Sequence, residues 1–267
     1  VNEIWVGMNP SDLTPEVWDV LYDGRLPLEL TYDGTKSSAC DLRAIYQEAQ
    51  SRDIKFSTLH TIQGGFAEES PRLLDDSWVW PQGFSVTRLT EDLAFFNYQQ
   101  GFFSQANRPI ELTVEDVETC SRTLAAFMRR FEIEITPENP HFPWAPVEDM
   151  CLTDFMMEVA NRVTCRFAVD LSHLTGYASV THRKAQDLLD RLLENDLVSV
   201  FHISGGGFRP DGVFMDVHGD ADLDPISLSL LDIVRSKPSI PLIIEVFGLR
   251  RHKSLQFKLE QVKEALA

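Results

Sequence analysis

The chain has 267 residues, 43% hydrophobic and 24% charged, with a formal net charge of −17. That length fits one α/β domain with a large core, and the composition is that of a folded globular chain rather than a disordered or fibrous one. The acidic balance repels a phosphate backbone and argues against nucleic-acid binding, while it suits divalent cations or a basic peptide.

Four cysteines (Cys40, Cys120, Cys151 and Cys165) lie far apart without a CxxC pair. They read as buried small hydrophobes rather than as a disulfide framework or a zinc site. No basic-then-apolar signal pattern opens the sequence, and no apolar run is long enough to cross a bilayer. A cytoplasmic location without membrane attachment is the expectation.

In chain order, β-type runs fall at residues 4–8, 26–31, 54–61, 93–98, 131–136, 166–170, 198–203 and 242–247. Amphipathic helices separate them. Thr14-Pro15 starts one, with proline at its first position. Thr113 with Asp116 three residues on forms a capping pattern, before Val117, Cys120, Leu124 and Phe127 at helical spacing. Leu188, Leu189, Leu192 and Leu193 stripe another. Asp224-Pro225 opens a further one, and Leu255, Leu259, Val262 and Leu266 line the last.

About eight strands and eight helices in strict alternation predict a (β/α)8 TIM barrel occupying 1–267 as a single domain. A doubly wound open sheet is the rival, and no GxGxxG follows the first strand to support it. A long segment rich in Pro, Gly and Trp, at about residues 63–90, follows the third strand and is expected to lie over the active-site face. Gly205-Gly206-Gly207 suits either a close backbone approach to a ligand or a plain flexible loop.

The β-type runs repeatedly finish in metal-ligand residues. His60 ends the third, Glu138 follows the fifth, and Asp170 with His173 closes the sixth. His202 ends the seventh, and Glu245 sits on the last. Asp216-Val217-His218 is the sharpest local element, because positions i and i+2 of an extended segment face one way. Imidazole with carboxylate suits iron, manganese or zinc. Each residue also has a plainer reading. Asp170 or Ser172 can cap a helix, a lone His can be an ordinary hydrogen-bonding residue, and Glu245 can pair with Arg250 or Arg251. Glu29 ends a short apolar run and reads as a supporting partner of the site. His141, His182 and His252 read as surface residues. Jointly, these donors on one rim exceed what a single metal needs, and point to two or three. No GxSxG elbow, P-loop or HExxH is present.

At this point the sequence resembles the multinuclear non-heme iron-dependent oxidative enzymes, the group that includes the methanobactin-biosynthesis iron oxygenase. The matching pieces are His60, Glu138-Asn139-Pro140, Asp170-x-x-His173, His202-Ile203-Ser204-Gly205, Asp216-Val217-His218-Gly219 and Glu245. They stand in the family's order over most of the chain. The resemblance implies a xylose-isomerase-like barrel holding two or three irons, with His60, Glu138, Asp170, His173, His202, Asp216, His218 and Glu245 as ligands. His202, Asp216 and His218 would be central to catalysis. It implies O2-dependent remodelling of a ribosomally made precursor peptide, often at cysteine, sometimes with a partner protein that presents the peptide. One departure stands out. The family carries an acidic–His pair at the end of the fourth strand, whereas Phe95-Phe96-Asn97-Tyr98-Gln99-Gln100 has no His. His173 stands where the methanobactin enzyme has Asn.

Two other functions fit the same residues. A sugar isomerase or epimerase would use two carboxylates and a His around Mn2+ or Mg2+ for proton transfer. A catalytically reduced subunit would bind a leader peptide while a partner does the chemistry.

Overall fold

A computed structural model describes residues 2–61, 65–67, 74, 78–80, 83, 85–95 and 108–267. Eight parallel strands close into a barrel: β1 (Ile4–Met8), β2 (Leu28–Tyr32), β3 (Phe56–Thr61), β4 (Arg88–Asp92), β5 (Glu134–Glu138), β6 (Phe167–Asp170), β7 (Val198–Ser204) and β8 (Leu242–Glu245). Each pairs with its neighbours in sequence order, and β8 pairs back onto β1. The fold is the (β/α)8 barrel that the alternating pattern predicts.

The helices begin where capping chemistry places them. Thr14 Oγ1 accepts from the Val17 amide at the start of α1 (Pro15–Gly24). Thr113 Oγ1 accepts from the Asp116 amide at the start of α3 (Val114–Arg130), and Asp224 caps α7 (Pro225–Ser229). These side chains satisfy amides that the first turn leaves without partners. The other helices are α2 (Lys36–Ser51), α4 (Leu152–Val163), α5 (Leu171–Val180), α6 (Ala185–Glu194), α8 (Leu231–Val234) and α9 (His252–Leu266).

Alternation is not strict. Both α5 and α6 lie between β6 and β7, and no helix is found among the described residues between β3 and β4. Much of the 63–90 segment lies outside the described residues. Its last residues, 88–90, belong to β4, and residues 78–80 dock on the barrel. Trp78 meets Tyr32 edge-on at 5.6 Å, the Tyr32 hydroxyl donates to the Val79 carbonyl, and Trp80 stacks on Phe131 at 4.9 Å.

Apolar burial is divided in two. The main core lies between strands and helices, while a small separate cluster of Trp5, Ala168, Val200 and Ile243 fills part of the barrel interior. Above that cluster, toward the strand C-termini, the inward positions turn polar. This division sets the site. No helix among the described residues is long and apolar enough to cross a membrane.

Candidate metal centre

Register brings the donors together. Asp92 pairs with Glu138, Asp170 with His202, and Glu245 with Gly7 and Ser204. Inward side chains at the strand C-termini therefore share one layer, the position where active sites of this architecture form. Asp216 and His218 arrive separately, from an antiparallel ribbon (Gly206–Phe208 with Phe214–Asp216) that folds over the end of β7.

Two groups of donor atoms result, one made by His60, Glu138, His202 and Glu245, the other by Asp92, Glu138 and His173. In the first, His60 Nε2 lies 3.0 Å from Glu138 Oε2, and His202 Nδ1 lies 3.2 Å from Glu138 Oε2 and 2.6 Å from Glu245 Oε1. In the second, His173 Nδ1 lies 3.6 Å from Asp92 Oδ1 and 3.8 Å from Glu138 Oε1. Glu138 belongs to both, one oxygen toward each. Asp216 Oδ2 then joins His173 Nε2 at 3.3 Å and His218 Nε2 at 2.8 Å, while His218 Nδ1 lies 3.4 Å from Glu245 Oε2. Ser204 Oγ donates to Asp216 Oδ1 at 2.5 Å and steadies it.

The donor set fits metal ions. Glu138 Oε1, Asp170 Oδ2, His202 Nδ1, His218 Nδ1 and Glu245 Oε1 are buried without a hydrogen-bond partner, a costly state for polar atoms unless something else binds them. His202 Nδ1 approaches Glu245 Oε1 to 2.6 Å without forming a hydrogen bond. Nitrogen and carboxylate oxygen donors suit iron, manganese or zinc.

Electrostatics agree. Burial disfavours a charged His60, but its hydrogen bond to Glu138 and the charges of Glu138, Glu245 and Glu29 outweigh this and raise the ring to about 10. Burial also opposes charging of His218, which Asp216 and Glu245 nevertheless raise to about 9. His173 and His202 are raised well above the ordinary imidazole range by their carboxylates, again against burial. Burial would raise Glu138, yet His202 and His60 hold it well below the usual carboxylate range. Without metal, the imidazoles therefore carry protons that a cation would displace.

All eight residues expected at the site lie at this end of the barrel. His60, Glu138, His202 and Glu245 share one donor group and His173 joins the other. Asp216 and His218 border both. Asp170 has a capping role, since its Oδ1 accepts from the His173 amide at 2.7 Å and opens α5. Its Oδ2 has no partner, so the cap does not exhaust the carboxylate. Glu245 pairs with His202 and His218 rather than with an arginine; Arg251 is held by Asp220.

Several expectations need correction. The fourth strand is Arg88–Asp92, not residues 93–98, and it delivers Asp92 to the site. Apolar content misplaces it, because β4 reads Arg-Leu-Thr-Glu-Asp and the apolar run begins only at Leu93. Asn97 and Tyr98 lie outside the described residues. With the strand in place, it ends in Glu91-Asp92, an acidic pair where the family resemblance implies acidic–His. Glu91 is buried and accepts from Thr61 Oγ1 at 2.5 Å and the Gly65 amide at 3.2 Å.

His141 is not a surface residue. It is half-buried, donates from Nε2 to the Phe214 carbonyl at 3.1 Å and lies 5.9 Å from the His173 ring. Burial, with His173 nearby, pulls it down to about 4. Cys40 is exposed and Cys151 only half-buried, so the buried reading holds for Cys120 and Cys165 alone; all four are free thiols. The glycine run is not a loose loop, since Gly206–Phe208 is a paired strand of the ribbon. A Cβ on Gly205 would meet the Ala221 carbonyl oxygen at 2.4 Å, and one on Gly206 the Met215 oxygen at 2.7 Å. These glycines let the ribbon backbone pass.

Fold and donors define a (β/α)8 barrel with a convergent His–carboxylate centre. A model of the RiPP precursor modification enzyme family MbnB/TglH/ChrH matches residues 63–266, and the chain belongs to that family. A UPF0276 protein from Shewanella loihica is 23% identical over 137 residues, 51% of this chain and 49% of that protein. The chain thus spans about half the length of the curated relative it matches. Among solved structures, the E. coli 3-keto-D-glucoside 4-epimerase YcjR aligns over 99% of both chains with TM-score 0.58 and 12% identity. Mannonate dehydratase from Streptococcus suis aligns over 100% of this chain and 94% of its own, with TM-score 0.59 and 8% identity. A xylose isomerase-like TIM barrel protein from Mycobacterium smegmatis, solved with magnesium, aligns over 98% of this chain and 97% of its own, with TM-score 0.51 and 12% identity. At such identities these likenesses show the fold alone.

Proposed function

We propose that this chain is a multinuclear non-heme iron-dependent oxidase that uses O2 to modify a ribosomally made precursor peptide, at cysteine. Family membership supports the peptide substrate. The observation that carries the metal reading is Glu138, whose two oxygens face two donor groups, His60–His202–Glu245 and Asp92–His173. A buried carboxylate shared in this way suits two adjacent cations. Asp216, His218 and Asp170 border the groups and complete the ligand set in this reading, for two or three irons. Bound iron would supply one-electron chemistry toward O2 and a binding position for a substrate thiolate.

The chain's own residues do the rest. His202 and Glu245, fixed on adjacent strands, hold donors at the barrel axis. Asp216 ends the ribbon, anchored by Ser204, and His218 follows two residues on. A partner protein that presents the peptide belongs to this reading.

Reconstitution with Fe2+ under strict anaerobiosis tests it. Two or more irons per chain, followed by O2 uptake dependent on a Cys-containing precursor peptide, is the expected result. Iron below one equivalent would overturn it. Turnover of a sugar substrate that persists without O2 in the Mn2+ form would instead support the isomerase or epimerase reading.

A further inference from the structure

We propose that Glu29 is a positioning residue for the metal centre: from the layer beneath, it takes the Nε2 side of His202 and turns Nδ1 toward Glu138 and Glu245. His202 presents two faces. Nδ1 lies inside the first donor group, and Nε2 lies 3.7 Å from Glu29 Oε1. His202 and Glu29 are both fully buried, and neither Nε2 nor either Glu29 oxygen has a hydrogen-bond partner.

A neutral imidazole that gives one nitrogen to a cation carries its proton on the other, and a buried N–H needs an acceptor. A carboxylate in that place fixes the tautomer and the ring plane together. The separation exceeds a hydrogen bond, and the proposal requires it to shorten to about 3 Å once a cation takes Nδ1.

The surroundings of Glu29 favour this role over an inert one. It stands on β2 in register with Gly7 of β1 and Thr58 of β3. On the next strands, Thr90 and Thr136 pair with each other. The hydroxyls of Thr58, Thr90 and Thr136 are buried and unpartnered. These hydroxyls have no other partner, so they are available to ordered water between them and Glu29. Below the metal layer the β2–β5 side of the interior is thus polar, opposite the apolar Trp5, Ala168, Val200 and Ile243, whereas an ordinary barrel packs branched apolar residues throughout.

The inference rests on the metal-binding part of the function proposed above and not on its oxygen chemistry. Its test uses Co2+ as the probe, with chelator competition for affinity and visible absorption for ligand geometry. Wild type is compared with Glu29→Gln, which keeps an acceptor but no charge, and Glu29→Leu, which keeps neither. We expect Co2+ affinity to fall about 10–100-fold in Glu29→Gln and at least as far in Glu29→Leu, with a shifted Co2+ spectrum and an intact metal-free fold. A purely structural Glu29 would change the metal-free melting temperature and leave affinity and spectrum alone. If Glu29→Leu fails to fold, the isosteric Gln variant decides. Wild-type affinity and spectrum in Glu29→Gln would overturn the inference while sparing the proposed function. Failure of the wild type to bind Co2+ would overturn this inference and the metal-centre reading together.

Discussion

Asp92 Oδ1 lies 3.6 Å from His173 Nδ1, so the end of β4 and the first turn of α5 meet above Glu138 at the end of β5. Because Glu138 alone among the described residues belongs to both donor groups, the two groups should separate by mutation. Asp92→Ala or His173→Ala is expected to lower iron content by one equivalent and leave the His60–His202–Glu245 group loaded. Glu138→Ala should empty both. Elemental analysis after anaerobic reconstitution reads the difference, and an unchanged iron content in Asp92→Ala would refute the second group.

The same pair shows how far sequence carries. Strands such as Leu242–Glu245 were legible because every residue before the last is apolar, Leu242 and Ile244 toward the helices and Ile243 inside the barrel, and the last inward residue is a donor. β4 was not, since of its five residues only Leu89 is apolar and Thr90 and Asp92 face the polar interior. The barrel interior is polar near the site, so the rule that finds strands by apolar runs fails at the strand whose donor matters most. His141 was missed for another reason. Its partner is the Phe214 carbonyl, a backbone atom 73 residues away, and no side-chain pattern announces such a contact.

The glycine run gives a prediction that separates its members. A Cβ at Gly205 would press on the Ala221 and Val217 carbonyl oxygens at 2.4 and 2.7 Å, whereas one at Gly207 meets nothing within 4 Å. Gly205→Ala should cost about 1–3 kcal/mol of stability through overpacking. It should also displace the ribbon that carries Asp216, weakening metal binding. Gly207→Ala should be close to wild type in both respects. Chemical denaturation and metal titration of the two variants check this, and equal behaviour would show that the ribbon is not held by close backbone passage.

Protonation links metal binding to pH. In the metal-free chain burial opposes charge on His60 and His218, but their carboxylates raise them to about 10 and 9. Imidazoles with folded values above the unfolded value of about 6.5 stabilise the fold fully below that value. The stabilisation is lost as pH rises toward the folded values. Asp170, raised by burial, acts in the same direction. The metal-free melting temperature should therefore fall between pH 6.5 and 8. Metal affinity should rise over the same interval, because protons compete less for the donors as pH rises. A melting temperature that climbs with pH in the metal-free protein would contradict the protonated cluster.

Lys258 supplies the opposite sign. Its amine, on α9 and almost fully buried, donates to the Gly219 carbonyl at 2.7 Å, one residue past His218. Burial pulls the amine down to about 8, against the charges of Asp220, Asp222, Asp216 and Glu245. Lys258→Met keeps the packed stem and leaves that carbonyl without its donor, at a cost of about 1–3 kcal/mol. The depressed value means that the wild type bears a burial penalty below pH 8, and that the penalty is relieved as the amine deprotonates between 8 and its unfolded value near 10.4. The deficit of Lys258→Met relative to wild type should therefore be smaller at pH 7 than at pH 9.5. Melting curves of both proteins at the two pH values measure it, and a deficit that shrinks on going to pH 9.5 would mean that the charge on Lys258, rather than its hydrogen bond, holds the His218 loop.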